Sequence, residues 1–415
     1  MLKLTYCIVL FLCGLLWPFA ACSAAGADVA SIIINLPSRT LEYYQSGNFI
    51  KEYRVAIGSP YSPTPLGSFY IREKEVNPWW YPPGKKYSVP SGPANPLGYR
   101  WMGFLPTYGI HGTNMPWSIG HIISNGCVRM HEADVEELFE LVDTLTPVKI
   151  TYDRAKVRID ENGNASIGIY PDIYGYQNVS LASVKNVLAK SGLDGLADDT
   201  FLANVIAEEA EQQLIFAQVY RLTVNGIKLY EHAVALEGEF YVPASSIASA
   251  VKTTITWNEA TKQLTRKQQA VPGEAKGNTI YVRLNDLFTL FGGKQTWQDF
   301  GRSLSLTIPM LFSNGQPISS DVHTRGEQHL VPALTVAEAL GLKLSYDEQH
   351  GILRNSIRRI PVEIIDNQPY IDTAKLGEYY NATVIWNEDR QSLDLTDPPW
   401  PLDCSMYLDL MQDFQ

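Results

Sequence analysis

Apolar residues between Asp28 and Tyr152 come in short runs broken by glycine and proline, among them Ile32 to Leu36, Lys51 to Ile57 and Val148 to Tyr152. Runs of this length and kind predict strands, and their spacing predicts a mostly β sandwich or barrel over residues 28–152. One stretch breaks the pattern. Val135, Leu138, Phe139 and Val142 fall at i, i+3, i+4 and i+7, the apolar stripe of a helix. Beyond Tyr152 the period changes. Leu181, Val184 and Leu188 mark a second helix, and Phe201, Leu202, Val205 and Ile206 a third, so residues 153–215 read as a connector with helices.

From 216 to 397 the pattern repeats. Tyr241, Tyr281, Leu330 and Tyr370 each precede an aromatic residue by sixteen (Trp257, Trp297, Tyr346, Trp386), and a leucine follows each aromatic by seven (Leu264, Leu304, Leu353, Leu393). The copies start 40, 49 and 40 residues apart. Each is expected to be a strand, a helix and two further strands, giving an α+β repeat domain at the C-terminus. Aromatics at repeating positions are read as core fillers rather than sugar-stacking platforms. The repeat resembles the module named after the N-terminal domain of copper amine oxidases. The resemblance does not extend to a copper site: His232, His323, His329 and His350 occupy no equivalent places in the four copies and have no ligand spacing. A spacer or wall-binding module is the implied role. Residues 398–415 are a tail.

The first 27 residues carry Lys3, an apolar run from Cys7 to Ala21 and a small-residue end at Ala25-Gly26-Ala27. They read as a secretory signal peptide, cleaved after Ala27, on a secreted protein of the cell wall or extracytoplasmic space. Phe19-Ala20-Ala21-Cys22 departs from a lipobox by its phenylalanine, so lipid anchoring at Cys22 is the less favoured alternative. Of five cysteines, Cys127 and Cys404 remain after cleavage. No structural disulfide is expected between them, and Cys404 reads as an incidental thiol. With 33 basic and 44 acidic side chains the formal charge is −11, which argues against nucleic acid as a partner.

The candidate chemistry lies in two motifs. His111 stands in YGIHGTN and Cys127 sixteen residues later in SNGCVRM. A thiol attacks as thiolate, and an imidazole within reach both lowers its pKa and carries its proton. His121 and His131, six and four residues from Cys127, are the rival bases. The backbone N–H groups of Gly126 and Cys127 are candidates for an oxyanion hole. Arg129 suits a two-pronged grip on a carboxylate, the alternative being a brace for the loop. Ser124 and Asn125 are read as loop organisers through their hydrogen bonds. Gly58, Gly67 and Gly112 are read as backbone necessities, with Gly112 and Thr113 also lining the substrate groove.

These residues resemble the catalytic domain of the L,D-transpeptidases (YkuD-type), whose signature pairs His-Gly-Thr with Ser-x-Gly-Cys-x-Arg. Ala56-Ile57-Gly58, Thr64-Pro65-Leu66-Gly67-Ser68-Phe69, Asn95-Pro96-Leu97-Gly98 and Trp101-Met102 extend the resemblance, which covers roughly residues 29 to 152. It departs from one common form, Ser-His-Gly-Cys, by placing Asn125 where that form has histidine. The resemblance implies a β-sandwich catalytic domain with Cys127 as nucleophile and His111 as base, the other ring nitrogen of His111 being held by a backbone carbonyl. It implies peptidoglycan stem peptides and the cell-wall polymer as partners, and 3-to-3 cross-links made through a cysteinyl thioester with release of D-alanine. No metal, organic cofactor or stable protein partner is implied. The alternatives are an L,D-carboxypeptidase, a wall-binding protein with a weakly active catalytic domain, and a cysteine peptidase of unrelated type.

Overall fold

The computed structural model describes residues 29–355, 358–387 and 391–396. The segment read as a signal peptide, Cys22, the tail and Cys404 lie outside the described residues. The chain divides into two compact units, one ending at Asp153 and the other beginning at Arg154.

The first unit is mostly β. Strand β1 (Ala30–Asn35) buries Ile32 and Ile34 on one face, the period-2 pattern of a half-covered strand. It pairs antiparallel with β2 (Thr40–Gln45), which pairs with β3 (Asn48–Arg54). On its other side β1 runs parallel to β11 (Pro147–Thr151), the last strand of the unit, and β11 pairs with β5 (Gly67–Tyr70). Parallel neighbours cannot be joined by a hairpin, so the chain between them is one long crossover carrying the other elements. Among these are β4 (Ile57–Gly58), which runs parallel to β9 (Ile122–Ser124), and a second sheet. That sheet has the order β10 (Val128–Arg129), β8 (Tyr108–His111), β7 (Arg100–Leu105), β6 (Glu73–Val76). Phe69 of the first sheet meets Phe104 of the second at 5.5 Å between ring centroids.

Among the described residues the one α-helix of this unit is α1 (Glu132–Leu141), and all four residues of its predicted stripe are buried. Glu132 and Asp134 in the first turn complement the positive end of the helix dipole. At the other end Lys74 of β6 donates to the carbonyls of Phe139 and Val142, satisfying orphan acceptors and bringing a cation to the negative end.

The second unit begins earlier than the repeats. The hairpin Ala155–Ile159 and Asn164–Ile169 adds its second strand antiparallel to Leu214–Val224, in one sheet with the first two copies. Helices Leu181–Ala189 and Asp199–Glu208 bury Val184, Leu188, Leu202 and Val205 against it. Residues 154–215 are therefore a packed part of this unit rather than a separate connector, because Leu214–Val224 has ladder partners on both sides.

Each of the four sequence copies holds a strand, a helix and a hairpin. The aromatic and the leucine seven residues later are directly opposite one another in every hairpin: Trp257 and Leu264, Trp297 and Leu304, Tyr346 and Leu353, Trp386 and Leu393. The constant interval is thus a cross-strand register, and the leucines are buried. The first strands join antiparallel in twos, Val242 opposite Val282 and Val331 opposite Ile371. The 40-residue steps fall within these pairs and the 49-residue step between them. Trp257, Trp297 and Tyr346 pack against cores, while Trp386 is partly exposed and stacks on His329. Among the described residues no helix is long and apolar enough to cross a membrane.

Candidate active site

The site is built on one face of the second sheet. Val128 of β10 is in register with Ile110 of β8, and Ile110 with Met102 of β7; all three are buried on the core side. Side chains alternate along a strand, so their neighbours Arg129, His111 and Trp101, also in mutual register, share the opposite face. Cys127 immediately precedes β10, in the loop that leads into it. Arg129 acts electrostatically on both His111 and Cys127, which are sixteen residues apart in sequence.

His111 is only 3 % exposed. Its Nδ1 lies 2.6 Å from the carbonyl oxygen of Gly112, which can only accept, so this ring nitrogen is the donor. The imidazole stacks on the Trp101 indole at 5.6 Å and 25°. Trp101 Nε1 in turn donates to Glu73 of β6 at 3.0 Å, which fixes the indole plane. Gly109 and Gly103 form the bed for this ring: a Cβ at Gly109 would lie 2.7 Å from indole carbons. Burial, with Arg129 nearby, lowers the imidazole pKa to about 4, against the upward pull of the Gly112 and Leu97 backbone groups.

That shift has a consequence for stability. Above pH ~6.5, the ordinary value, neither folded nor unfolded His111 is charged. As the pH falls from there to about 4, the unfolded chain takes up a proton that the native site refuses, so stability drops and then levels off. The gap corresponds to about 3 kcal/mol. His111→Asn is therefore expected to lose less stability than wild type between pH 7 and pH 4.5 in urea unfolding; equal losses would refute neutral burial of the imidazole.

The cysteine loop is closed by Ser124. Its hydroxyl donates to the Cys127 carbonyl at 2.5 Å and accepts from the Gly126 N–H at 3.1 Å. One of the two expected oxyanion donors is therefore already engaged. Gly126 sits at φ +102, where a Cβ would meet the Tyr108 ring at 2.4 Å. Asn125 is exposed at the turn.

The Cys127 thiol is partly buried and donates to the Thr107 carbonyl at 3.5 Å. Thr107, at φ +69 in the β7–β8 turn, presents that carbonyl. Burial pushes the thiol pKa up, while the Gly109 backbone and Arg129 pull it down. No hydrogen bond joins the thiol to His111 in this arrangement. The resting pair is thus a neutral thiol and a neutral imidazole.

Arg129 is held through its backbone, which exchanges two 2.9 Å hydrogen bonds with Ala56. Among the described residues no carboxylate pairs with its guanidinium, whose pKa is lowered by burial and raised by Cys127. Thr113 is buried and its hydroxyl accepts from Met115 N–H, so it shapes the turn after the histidine. Gly112 leaves room for the Glu132 carboxylate. The rivals His121 and His131 are exposed, and His131 precedes α1 as its N-cap residue. Among the described residues no group of three His, Cys, Asp or Glu side chains is placed to hold a metal ion.

Sequence reasoning did not single out Glu132, Glu73 or Tyr108, and used Trp101 only as part of a strand. Asn95 was part of a motif without a role. It is fully buried, donates to the Pro78 carbonyl at 2.8 Å and accepts from Leu97 N–H at 2.9 Å, pinning the long β6–β7 loop. The glycines at 98, 103, 109 and 112 were the available signal, since each makes room for one of the missed side chains.

A mostly β unit carrying this arrangement is matched over residues 30–150 by the family model of the L,D-transpeptidase catalytic domain, YkuD. The chain is 34% identical over 154 residues to "Putative L,D-transpeptidase YqjB" of Bacillus subtilis, covering 35% of this chain and 84% of that protein. It is 38% identical over 121 residues to "Putative L,D-transpeptidase YkuD" of Bacillus licheniformis, covering 29% and 64%. With "Probable L,D-transpeptidase YbiS" of Escherichia coli it shares 31% over 153 residues, covering 34% and 50%. The chain thus spans less than two thirds of the length of the latter two. Among solved structures, the catalytic domain of the Enterococcus faecium L,D-transpeptidase is 27% identical, with 30% of this chain and 99% of that one covered and a TM-score of 0.26. The chain belongs to the L,D-transpeptidase family.

Proposed function

We propose that the protein is a peptidoglycan L,D-transpeptidase that works by ping-pong acyl transfer through Cys127. The observation that supports this reading is the Arg129–His111 register, with the Cys127 thiol and the His111 imidazole both under the charge of Arg129. Cys127 gives up its proton to His111 and attacks the carbonyl of the third stem residue of a tetrapeptide donor. The thiol must first exchange its Thr107 partner for the imidazole, and such catalytic bonds commonly tighten only when substrate binds. His111 then protonates the leaving D-alanine amine, leaving a thioester. With Gly126 N–H engaged by Ser124, the Cys127 N–H is the member of the pair assigned to the oxyanion. The unpaired Arg129 guanidinium grips a stem carboxylate. A side-chain amine on a neighbouring stem completes a 3-to-3 cross-link; water in its place gives a tripeptide, the carboxypeptidase reaction.

The second unit, whose repeat resembles the copper amine oxidase N-terminal module, serves as a spacer or wall-binding module on a secreted enzyme. The chemistry is tested by incubating the full chain with disaccharide tetrapeptide and following products by mass spectrometry. A dimer lacking one D-alanine is the expected product. Tripeptide alone would move the reading to a carboxypeptidase, and unchanged donor of either common third residue would overturn it.

A further inference from the structure

Glu132 sits at the first position of α1, three residues after Arg129 of β10, and its carboxylate is turned back onto the histidine loop. Oε1 accepts from the Thr113 N–H at 2.5 Å and Oε2 from the Tyr99 N–H at 3.1 Å. The fit excludes side chains nearby: a Cβ on Gly98 would lie 2.0 Å from Oε1, and one on Gly112 2.1 Å from it. Both glycines are thus the space in which the carboxylate sits.

The Thr113 N–H belongs to the same peptide group as the Gly112 C=O, and that carbonyl accepts the Nδ1–H of His111 at 2.6 Å. One planar amide is therefore bonded at both ends, to a carboxylate at its nitrogen and to the imidazole at its oxygen. A negative acceptor on the N–H draws electron density through the conjugated amide toward the oxygen, and linked hydrogen bonds polarise one another in this sense. The oxygen becomes a stronger acceptor, which favours the protonated ring over the neutral one.

We propose that Glu132 is a positioning residue for His111, acting through the Gly112–Thr113 peptide to orient the imidazole and raise its basicity when it takes the Cys127 proton. The inference rests on His111 being the base. The arrangement offsets part of what burial takes away, since the same site lowers the imidazole pKa to about 4 while the Gly112 bond raises it. Other charged groups act on the ring from different elements. Arg129 of β10 opposes its protonation, and Glu73 of β6 stands behind Trp101. Beside Glu132 on α1, Glu136 pairs with Arg100 of β7 at 3.5 Å, and Asp134 shares the first turn.

The test is the pH profile of Cys127 alkylation by iodoacetamide in wild type, Glu132→Gln and His111→Asn, all in the full chain. Once the thiol leaves Thr107 for the imidazole, the small fraction of molecules in which its proton has moved to His111 is independent of pH between the two groups' own titrations, and gives a plateau of reactivity there. His111→Asn is expected to lose the plateau. Glu132→Gln keeps an oxygen for the Thr113 N–H but not the charge, and is expected to lower the plateau about tenfold, one unit of imidazole basicity. A purely structural role would leave the plateau height unchanged. If Glu132→Gln superimposes on wild type while His111→Asn collapses, the relay is wrong and the base assignment stands. If His111→Asn also superimposes, the base assignment itself fails. Should Glu132→Gln not fold, imidazole nitrogen NMR of wild type decides: the neutral ring must carry its proton on Nδ1, with that proton shifted well downfield, and an Nε2–H tautomer overturns the proposal.

Discussion

Cys127→Ala is expected to bring turnover of a tetrapeptide donor to background, a fall on the order of 10⁵-fold or more, with no acyl-enzyme mass detectable. The size follows from what is removed. Without the thiol no covalent intermediate forms, and neither a neutral imidazole nor a guanidinium can replace a nucleophile. Donor binding should change little, because Arg129 and the loop that presents the cysteine remain. The loop hydrogen bonds made by Ser124 go to the main chain of Gly126 and Cys127, which alanine retains. The decisive measurement is intact-protein mass after mixing with donor, together with donor affinity by calorimetry. Turnover surviving in the variant, or an acyl group attached elsewhere on the chain, would remove Cys127 from the mechanism.

Gly126→Ala is expected to cost about 10²-fold in turnover while leaving most of the stability intact. Gly126 has φ +102, a backbone region that costs a side-chain-bearing residue about 1–3 kcal/mol. The new Cβ would stand 2.4 Å from the Tyr108 ring, so either that ring or the Ser124–Cys127 loop has to move. Tyr108 opens β8 directly after Thr107, whose carbonyl holds the thiol, so both adjustments displace Cys127. Misplacement of a reacting group by about 1 Å is enough for a loss of this order. Steady-state turnover and a thermal melt check it together. Wild-type activity in a folded variant would mean that the loop geometry does not limit the reaction.

Several features of the fold were legible because they are written locally. Strand β1 lies in the apolar run Ile32 to Leu36, and α1 follows from the stripe at Val135, Leu138, Phe139 and Val142. The seven-residue interval in the four copies is legible for the same reason: a hairpin register is fixed by its own turn, so Trp257 faces Leu264 wherever the unit is placed. What the sequence could not show is where long-range pairing would send an element. Residues 153–215 read as a connector because their own pattern is helical and mixed, though from Arg154 on they belong to the second unit. They pack as part of the second unit because Leu214–Val224 is free to accept Asn164–Ile169 along one edge.

The same division runs through the candidate site. Motif spacing alone named His111, Cys127, Ser124, Gly126 and Arg129. It carried no information on the partners of these groups, which come from other strands and the helix. Trp101 reaches His111 through the β7–β8 register, Thr107 meets the thiol at the turn, and Glu132 folds back from α1 to the peptide after the histidine. By itself, then, the sequence determined the β character of the first unit, the four-copy pattern of the second and the residue types available for acyl transfer, since strand alternation, helix period and motif spacing are properties of neighbouring residues. Only the tertiary structure decided that the thiol rests on Thr107, that Gly126 spends its N–H on Ser124, and that a carboxylate stands behind the histidine's peptide, because hydrogen-bond partners and burial are fixed by residues that meet only once the chain is folded.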